Sequence, residues 1–405
     1  MSVRGGPAVV VGAGLAGLRC AQVLAASGVD VIVVERSAHV GGRLHSFTVD
    51  GFVIDQGFQL VNPSYPELAA TGILLDLDLR PFAPAVEFHQ GGRRRVLADP
   101  RRQPFLALTA LRAAPPAQLL RLGVLLARLT WTPAQRLTAG PDTTTLEGLR
   151  RTGLNNRTIE TVVRPFLRGT LLDDELSSSW IFSQLLLKSF GRGRPSTHPE
   201  GIEAVARALA HRSGAQVRLN ATVNRVSPHA VEVDGVTLAA CAVVVATEAS
   251  DAARLVTIPA VSWHRQLCWW WSAPRVAEPA RIRIDLDDPL TTSALDLAAV
   301  APERAPRGRS LIATPTISGT DSEVDRARAS VARLYDLGTS DVELVTTTEV
   351  TRALPRVAPP FVSVRGNHAD GVVLAGDYLT SSSIQGALVS GRRAAVAVLR
   401  RLEGA

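Results

Sequence analysis

The chain has little cysteine, almost no lysine and no long apolar run. Its three cysteines, Cys20, Cys241 and Cys268, lie far apart without a CxxC or Cys/His grouping. Neither a disulfide framework nor a metal site is therefore expected, and a reducing, cytoplasmic setting fits. Of 44 basic residues, Lys188 is the single lysine and the rest are arginine. The net charge of +7 comes without a run of five basic residues and without interleaved aromatics, so no nucleic-acid partner is expected. No uncharged stretch approaches the roughly 20 apolar residues of a spanning helix. Glycines interrupt the apolar stretch from Ala8 to Ala16, so a secretory signal is not expected either. A soluble protein, or one resting on the inner membrane face, is the expectation. Internal repeats and low-complexity segments are missing too.

What remains is ample for a core. With 405 residues, 46% apolar and 20% charged, disorder, collagen and coiled coil are excluded, and two intertwined domains are expected. Ala8 to Val11 is a short apolar run, followed by Gly12, Gly14 and Gly17 at GxGxxG spacing, and Leu15 to Ala26 reads as a helix closed by Ser27-Gly28. A second strand, Val29 to Val34, ends in Glu35, 18 positions after the third glycine. A β-turn-α-β unit with an acid at that distance is a dinucleotide fingerprint. Gly12 permits the tight turn, Gly14 lets a pyrophosphate approach the backbone and Gly17 lets helix pack on strand. The phosphates sit at the positive helix end, and Glu35 accepts ribose hydroxyls.

Glu35-Arg36 is followed by Gly41-Gly42-Arg43 and by Gly51-Phe-Val-Ile-Asp55-Gln-Gly57-Phe58-Gln59. Here the sequence resembles the FAD-dependent amine oxidase superfamily, which includes phytoene and carotene desaturases and protoporphyrinogen oxidase. The resemblance implies that Arg43 contacts the pyrophosphate or lines the flavin and that Gly57, Phe58 and Gln59 run beside the isoalloxazine. Pro199-Glu-Gly201-Ile202, a helix from Glu203 to Ala210 and Ala221 to Val226 are similar to the family's PxGG helix and adenine-contacting strand, with Val223 meeting the adenine through main-chain atoms. Ile202 replaces the motif's second glycine, which leaves the local turn open. Cys241 to Thr247 (CAVVVAT) reads as a buried strand at the edge of the nucleotide domain.

The closing block is the most specific. Gly371-Val-Val-Leu-Ala-Gly376-Asp377 reads as a strand ending in Gly-Asp, and Ile384-Gln385-Gly386-Ala387 opens a small-residue helix with Gly391. This resembles the carotene-desaturase version of the family's last helix. Serines 381 to 383 supply an N-cap. The resemblance implies that N–H groups near Ile384 and Gln385 face the flavin O2/N1 edge, that Asp377 accepts bonds from ribityl or phosphate-proximal hydroxyls, and that Gly386, Ala387 and Gly391 let the helix lie on the cofactor and the first glycine helix. The candidate cofactor contacts are thus Gly12, Gly14, Ala16, Gly17, Glu35, Arg36, Gly42, Arg43, Gly57, Phe58, Gln59, Val223, Gly376, Asp377, Ile384, Gln385 and Ala387; no catalytic residue stands out.

The fold class expected is α/β: a Rossmann-like FAD-binding domain of the glutathione-reductase type, with a parallel sheet, from 1–60, 199–250 and 366–405. An interleaved α+β substrate domain takes 61–198 and 251–365. Within it, Ala117 to Leu129 reads as a helix begun by Pro115-Pro116, with positions 119, 122, 125, 126 and 129 on one face and Arg121 and Arg128 on another. It is either an interfacial membrane helix or an ordinary amphipathic one. Ser262 to Trp271 and Arg281 to Leu286 read as strands. In the first, Trp270 faces away from Trp269 and Trp271, and one face either walls a substrate cavity or packs in the core.

No second glycine fingerprint follows, so oxidation of a substrate by flavin is expected rather than use of a nicotinamide, with oxygen or a quinone as electron acceptor. Amine-oxidising relatives carry a lysine near the flavin, downstream of the strand ending here in VVVAT; Lys188 lies upstream. Relatives with a cysteinyl-linked flavin hold that cysteine just before the last helix, where this chain has none, so FAD should be non-covalent. The resemblance therefore implies an FAD-dependent oxidoreductase that dehydrogenates, or isomerises without net redox change, a mainly apolar carotenoid, isoprenoid or tetrapyrrole-like substrate. An amine or amino-acid oxidase is the first alternative, and a non-catalytic FAD-fold protein that binds lipid or a protein is the second.

Overall fold

The computed structural model describes residues 6–57, 59–99, 101–103, 114–276, 278–363 and 368–404. Phe58 lies outside the described residues. In chain order the principal elements are β1 (Ala8–Val11), α1 (Leu15–Ala26), β2 (Val31–Val34), β3 (Ala85–Gln90), β4 (Arg93–Ala98), α2 (Pro116–Trp131), α3 (Trp180–Arg192), α4 (Glu203–Arg212), β5 (Gln216–Arg218), β6 (Val223–Ser227), β7 (Ala242–Val245), β8 (Trp263–Pro274), β9 (Ile282–Asp285), β10 (Arg309–Thr316), α5 (Val324–Tyr335), β11 (Glu343–Pro355), β12 (Val372–Leu374) and α6 (Ile384–Glu403).

β12, β7, β1, β2 and β5 form a parallel sheet in that order, closed at the β12 side by the antiparallel edge strand His368–Ala369. Strands buried on both faces need uninterrupted apolar runs, which AVVV, VIVV and AVVV supply. The Cys241 to Thr247 strand is therefore interior, between β1 and β12, and not at an edge. β2 begins two residues later than expected, because Val29 N–H donates to Leu24 O at the end of α1. Val11 pairs with both Val34 and Val245, and Val245 pairs with Leu374. Four strands thus end level, and the residues after them crowd one crevice, as parallel sheets arrange at their carboxyl ends.

α1 and α6 pack on the sheet through small residues. A Cβ on Gly391 would lie 2.1 Å from Ala16 O, so only glycine permits the contact, and one on Gly17 would lie 2.0 Å from Gly12 O. Gly201 takes φ +87° before α4, whereas Ile202 is ordinarily helical and fully buried. One glycine suffices for that turn.

The second sheet is antiparallel, with Leu295–Asp296, β10, β8 and β11 in order. Trp269 and Trp271 of β8 pack against α5 residues Ala327 and Val331, while Trp270 packs on the other face with Phe52, Ile54 and Phe82. All three indoles are fully buried, so the triplet is core on both sides and walls no cavity. α2, α3 and the helices between them share an apolar core with β3 and β9. α2 buries Leu122, Leu125 and Leu129 and half-buries Leu119 and Leu126, on the expected face.

Candidate functional site

At the carboxyl ends of the parallel strands lies a cleft of about 750 Å³. Gly12, Gly14, Ala16, Glu35, Arg36, Gly42, Arg43, Val223, Gly376, Asp377, Ile384 and Ala387 line it. Gly12 has φ +103°, which few other residues tolerate. Gly14 caps α1 with no side-chain bond of its own, and a Cβ there would meet nothing within 4 Å. The first N–H groups of α1 therefore face open cleft. α6 presents a second N-terminus: Ser383 caps it by accepting from Gly386 N at 3.0 Å, and the N–H groups of Ile384 and Gln385 precede the first intrahelical bond. Two helix ends thus converge on one cleft, a setting for anionic phosphates or for charge on a ring.

Glu35 is pre-positioned. Its carboxylate accepts from Ala13 N at 2.8 Å and Ser37 N at 2.9 Å, which uses about half its acceptor capacity. Arg36 pairs with Asp251 at 2.7 Å on the rim. Arg43 follows the left-handed Gly41 and Gly42 and donates to Asp377 Oδ1 at 2.7 Å and to Ala353 O at 2.9 Å. Asp377 is buried, not a surface turn acid.

A second cavity, of about 170 Å³, abuts the cleft and shares Arg43, Ser383 and Ile384 with it. Gly57 and Gln59 line this cavity, and the Gln59 amide donates back to Gly57 O at 2.6 Å. Its walls are mainly apolar, among them Phe166, Leu172, Phe190, Ile282, Leu354 and Ile384. Burial pushes the phenol of Tyr65, also in the wall, up to about 12. A third cavity of about 670 Å³ continues from it, sharing Phe166, Phe190, Pro195 and Ile282.

Two expected contacts sit elsewhere. Gly17 packs helix on strand and does not line the cleft. The Gln385 side chain turns away and accepts from Glu67 N at 3.0 Å, leaving only its main chain toward the cleft. Sequence reasoning missed Thr247, whose buried hydroxyl borders the cleft with no partner among the described residues, although it ends the strand already identified. It also missed Glu67, which accepts from Arg19 of α1 and Arg392 of α6; nothing local marks a lone acid joined to cations 48 and 325 residues away. His45 Nδ1 donates to Glu203 Oε2 at 2.7 Å and its ring stacks on His39 at 3.6 Å, which fastens the Gly41 turn to α4.

Residues 15–399 match the model of the flavin containing amine oxidoreductases. The chain belongs to that family. Its members are FAD-dependent oxidoreductases, and FAD is the cofactor of this one. The cleft fits such an elongated anion: Gly14 leaves room, two helix ends meet it and the Thr247 hydroxyl waits for a partner. Among curated proteins, the flavoprotein is 50% identical over 62 residues to putrescine oxidase of Kocuria rosea, 15% of this chain and 13% of that one. It is 51% identical over 49 residues to hydroxyneurosporene desaturase of Rubrivivax gelatinosus, 12% of this chain and 9% of that one. These matches span less than a fifth of each relative's length. In fold it is similar to an oxidoreductase from Methanosarcina mazei, with a TM-score of 0.73 at 14% identity over 98% of this chain and 100% of that one.

Proposed function

We propose that this flavoprotein dehydrogenates a mainly apolar substrate of the carotenoid, isoprenoid or tetrapyrrole kind, passing electrons to oxygen or a quinone. One observation carries the reading: the cavity abutting the cleft has no carboxylate among its described lining residues, and its one cation, Arg43, is committed to Asp377 and Ala353. A cationic amine entering such walls would lose hydration with no countercharge in return. Lys188 supports the same reading, because its ammonium donates to the carbonyls of Thr130 at 2.8 Å and Thr132 at 2.7 Å at the end of α2 and lines neither the cleft nor the adjoining cavity.

Residues 1–60, 199–250 and 366–405 form the FAD-binding part in this account, and the rest forms the substrate part. Gly12, Gly14 and Ala16 hold or admit the pyrophosphate at α1, Gly17 seats that helix on its strand, and Glu35 takes the adenosine ribose with Arg36 at the rim. Val223 borders the adenine. Gly42, Arg43, Gly376 and Asp377 border the middle of the cofactor, and Ile384, Gln385 and Ala387 direct helix N–H groups to the ring. When bound, the flavin supplies the hydride acceptor. Gly57, Gln59 and the apolar walls then orient a C–H bond and exclude water, which is the protein's own share of the rate.

Substrate entry fits α2. Its inner residues Leu119, Leu122 and Leu126 line the third cavity, Leu120 and Val124 are 69% and 60% exposed on the outer face beside Arg121 and Arg128, and Trp131, 81% exposed, also borders the cavity. We read that face as a contact with an anionic membrane surface. Incubation of FAD-loaded protein with isoprenoid and tetrapyrrole donors, followed by mass spectrometry, tests the function: a product lacking two hydrogens supports it. Turnover confined to amines overturns it.

A further inference from the structure

The strands β8 and β11, which supply Gln266, Val350, Ala353 and Leu354 to the cavity wall, contain an irregularity beside one of these residues. β8 and β11 pair His264 with Leu354, but Gln266 with Val350. Opposite the single residue Arg265 there are therefore three, residues 351–353. Bulges of this sort re-aim side chains beside functional sites. The consequence on β11 is that Ala353 O accepts from Arg43. On β8, Arg265 points outward to Glu349 and Gly319, and Gln266, next along, points the other way into the cavity.

Three amide side chains line the cavity. Gln59 donates to Gly57 O, and Asn62 donates to Ser189 O while accepting from Ser64 N. Gln266 has no hydrogen-bond partner among the described residues, although it is half-buried. The hydroxyls of Thr170, Thr292 and Ser382 are committed, to the carbonyls of Leu167, Pro315 and Pro355, while those of Tyr65 and Ser293 are, like the Gln266 amide, without a partner among the described residues; Gln266 differs from them in offering both an amide donor and a carbonyl acceptor. Its amide therefore keeps its full donor and acceptor capacity for whatever enters the cavity, whereas an apolar residue of similar size would offer only packing against the Leu and Ile walls. Gln266 also stands at the cleft end of the cavity. Its partner Val350 lies 3.6 Å from where a Cβ on Gly57 would be, and that same point is 3.0 Å from Arg43 O.

We propose that Gln266 determines specificity by hydrogen bonding a neutral oxygen group, a hydroxyl or carbonyl, on an otherwise apolar substrate. The proposal rests on the apolar reading of the cavity and narrows it: a purely hydrocarbon substrate leaves Gln266 unpaired, and an oxygenated one does not. An amide both donates and accepts, so alcohols and carbonyls are each served, whereas the cavity offers no partner for a charged group.

The test is equilibrium dialysis of FAD-loaded protein against two labelled probes, (E,E)-farnesol and the hydrocarbon (E,E)-α-farnesene, in the native chain and in Gln266→Leu and Gln266→Met. Two variants are used so that one poorly folded protein does not decide the matter; flavin content reports folding. The expected result is that the farnesol-to-farnesene affinity ratio falls about 5- to 10-fold in both variants, the worth of one neutral hydrogen bond. Farnesene binding should stay level or improve. Equal weakening of both probes, or an unchanged ratio, overturns the assignment to Gln266 while leaving the apolar cavity intact. Failure of both probes to bind the native chain overturns the apolar reading and this proposal with it.

Discussion

Glu67 joins the two helices whose N-termini open on the cofactor cleft. Its Oε1 accepts from Arg19 Nη2 of α1 at 2.7 Å, its Oε2 accepts from Arg392 Nε of α6 at 2.8 Å, and its own N–H donates to Gln385. Glu67 and Arg19 are 8% and 9% exposed at the side chain, while Arg392 is 43% exposed and recovers hydration when unpaired. Removing one member of a buried pair costs about 3–5 kcal/mol because the other charge is stranded. With only Arg19 stranded, Glu67→Ala belongs at the lower end, about 3 kcal/mol. For 405 residues, an unfolding entropy of about 2.1 cal/mol/K per residue turns that into a fall in Tm of about 3–4 °C. Flavin retention should fall as well, because the helix ends lose their common anchor. The sharper check is the double variant Arg19→Met with Glu67→Leu, in which no charge is stranded and apolar groups fill the space. It should recover most of the loss, as buried pairs replaced together commonly do. Calorimetry of the FAD-saturated proteins reads both. A single variant melting within about 1 °C of its parent, or a double variant as weak as the single, would refute the reasoning.

Gly14→Val separates fold from cofactor: its side chain enters open cleft space, so the apoprotein should melt within about 1–2 °C of the parent yet lose the visible flavin bands on purification. Retained flavin would show that the phosphates lie elsewhere. Lys188→Met, which removes bonds to the end of α2, should lower Tm by about 1–3 °C and leave farnesene affinity within about twofold; a selective loss of binding would return the lysine to the site. Because burial pushes the Tyr65 phenol up to about 12, farnesene affinity should be flat from about pH 6 to 10. A titration inside that range would reveal an ionisable group in the cavity. Glutamate at Leu120 and Trp131 should abolish co-sedimentation with phosphatidylglycerol vesicles without changing flavin content; unaltered sedimentation would remove α2 as the contact.

The nucleotide half of the molecule was legible because its constraints are local. Gly12, Gly14 and Glu35 fall within one β-α-β unit, and α1 has the boundaries that its small-residue helix and closing Ser27-Gly28 imply. Gly391 was readable for a similar reason, since a helix of small residues asks for a close neighbour, and Ala16 is that neighbour. The rest depends on contacts across long separations. That the Gln385 side chain turns to Glu67, that Arg43 meets Asp377 and that Thr247 has no partner among the described residues follow from how the strands align, not from residues nearby in the chain. Trp269 to Trp271 show the limit clearly. Alternation assigned their faces correctly, but which body each face would meet, α5 or the Phe52 hairpin, was fixed only by tertiary packing. The bulge between β8 and β11 that exposes Gln266 has no sequence signature either.

The central claim is that FAD in this cleft draws hydride from an apolar donor. It is tested most directly by following the flavin absorption bands anaerobically while an extract of apolar metabolites, and then a panel of amines, is added to the purified protein. The account predicts bands that bleach with the apolar fraction and stay unchanged with amines. Bleaching by amines alone would contradict it, and a protein that stays colourless after incubation with FAD would contradict the enzyme reading altogether.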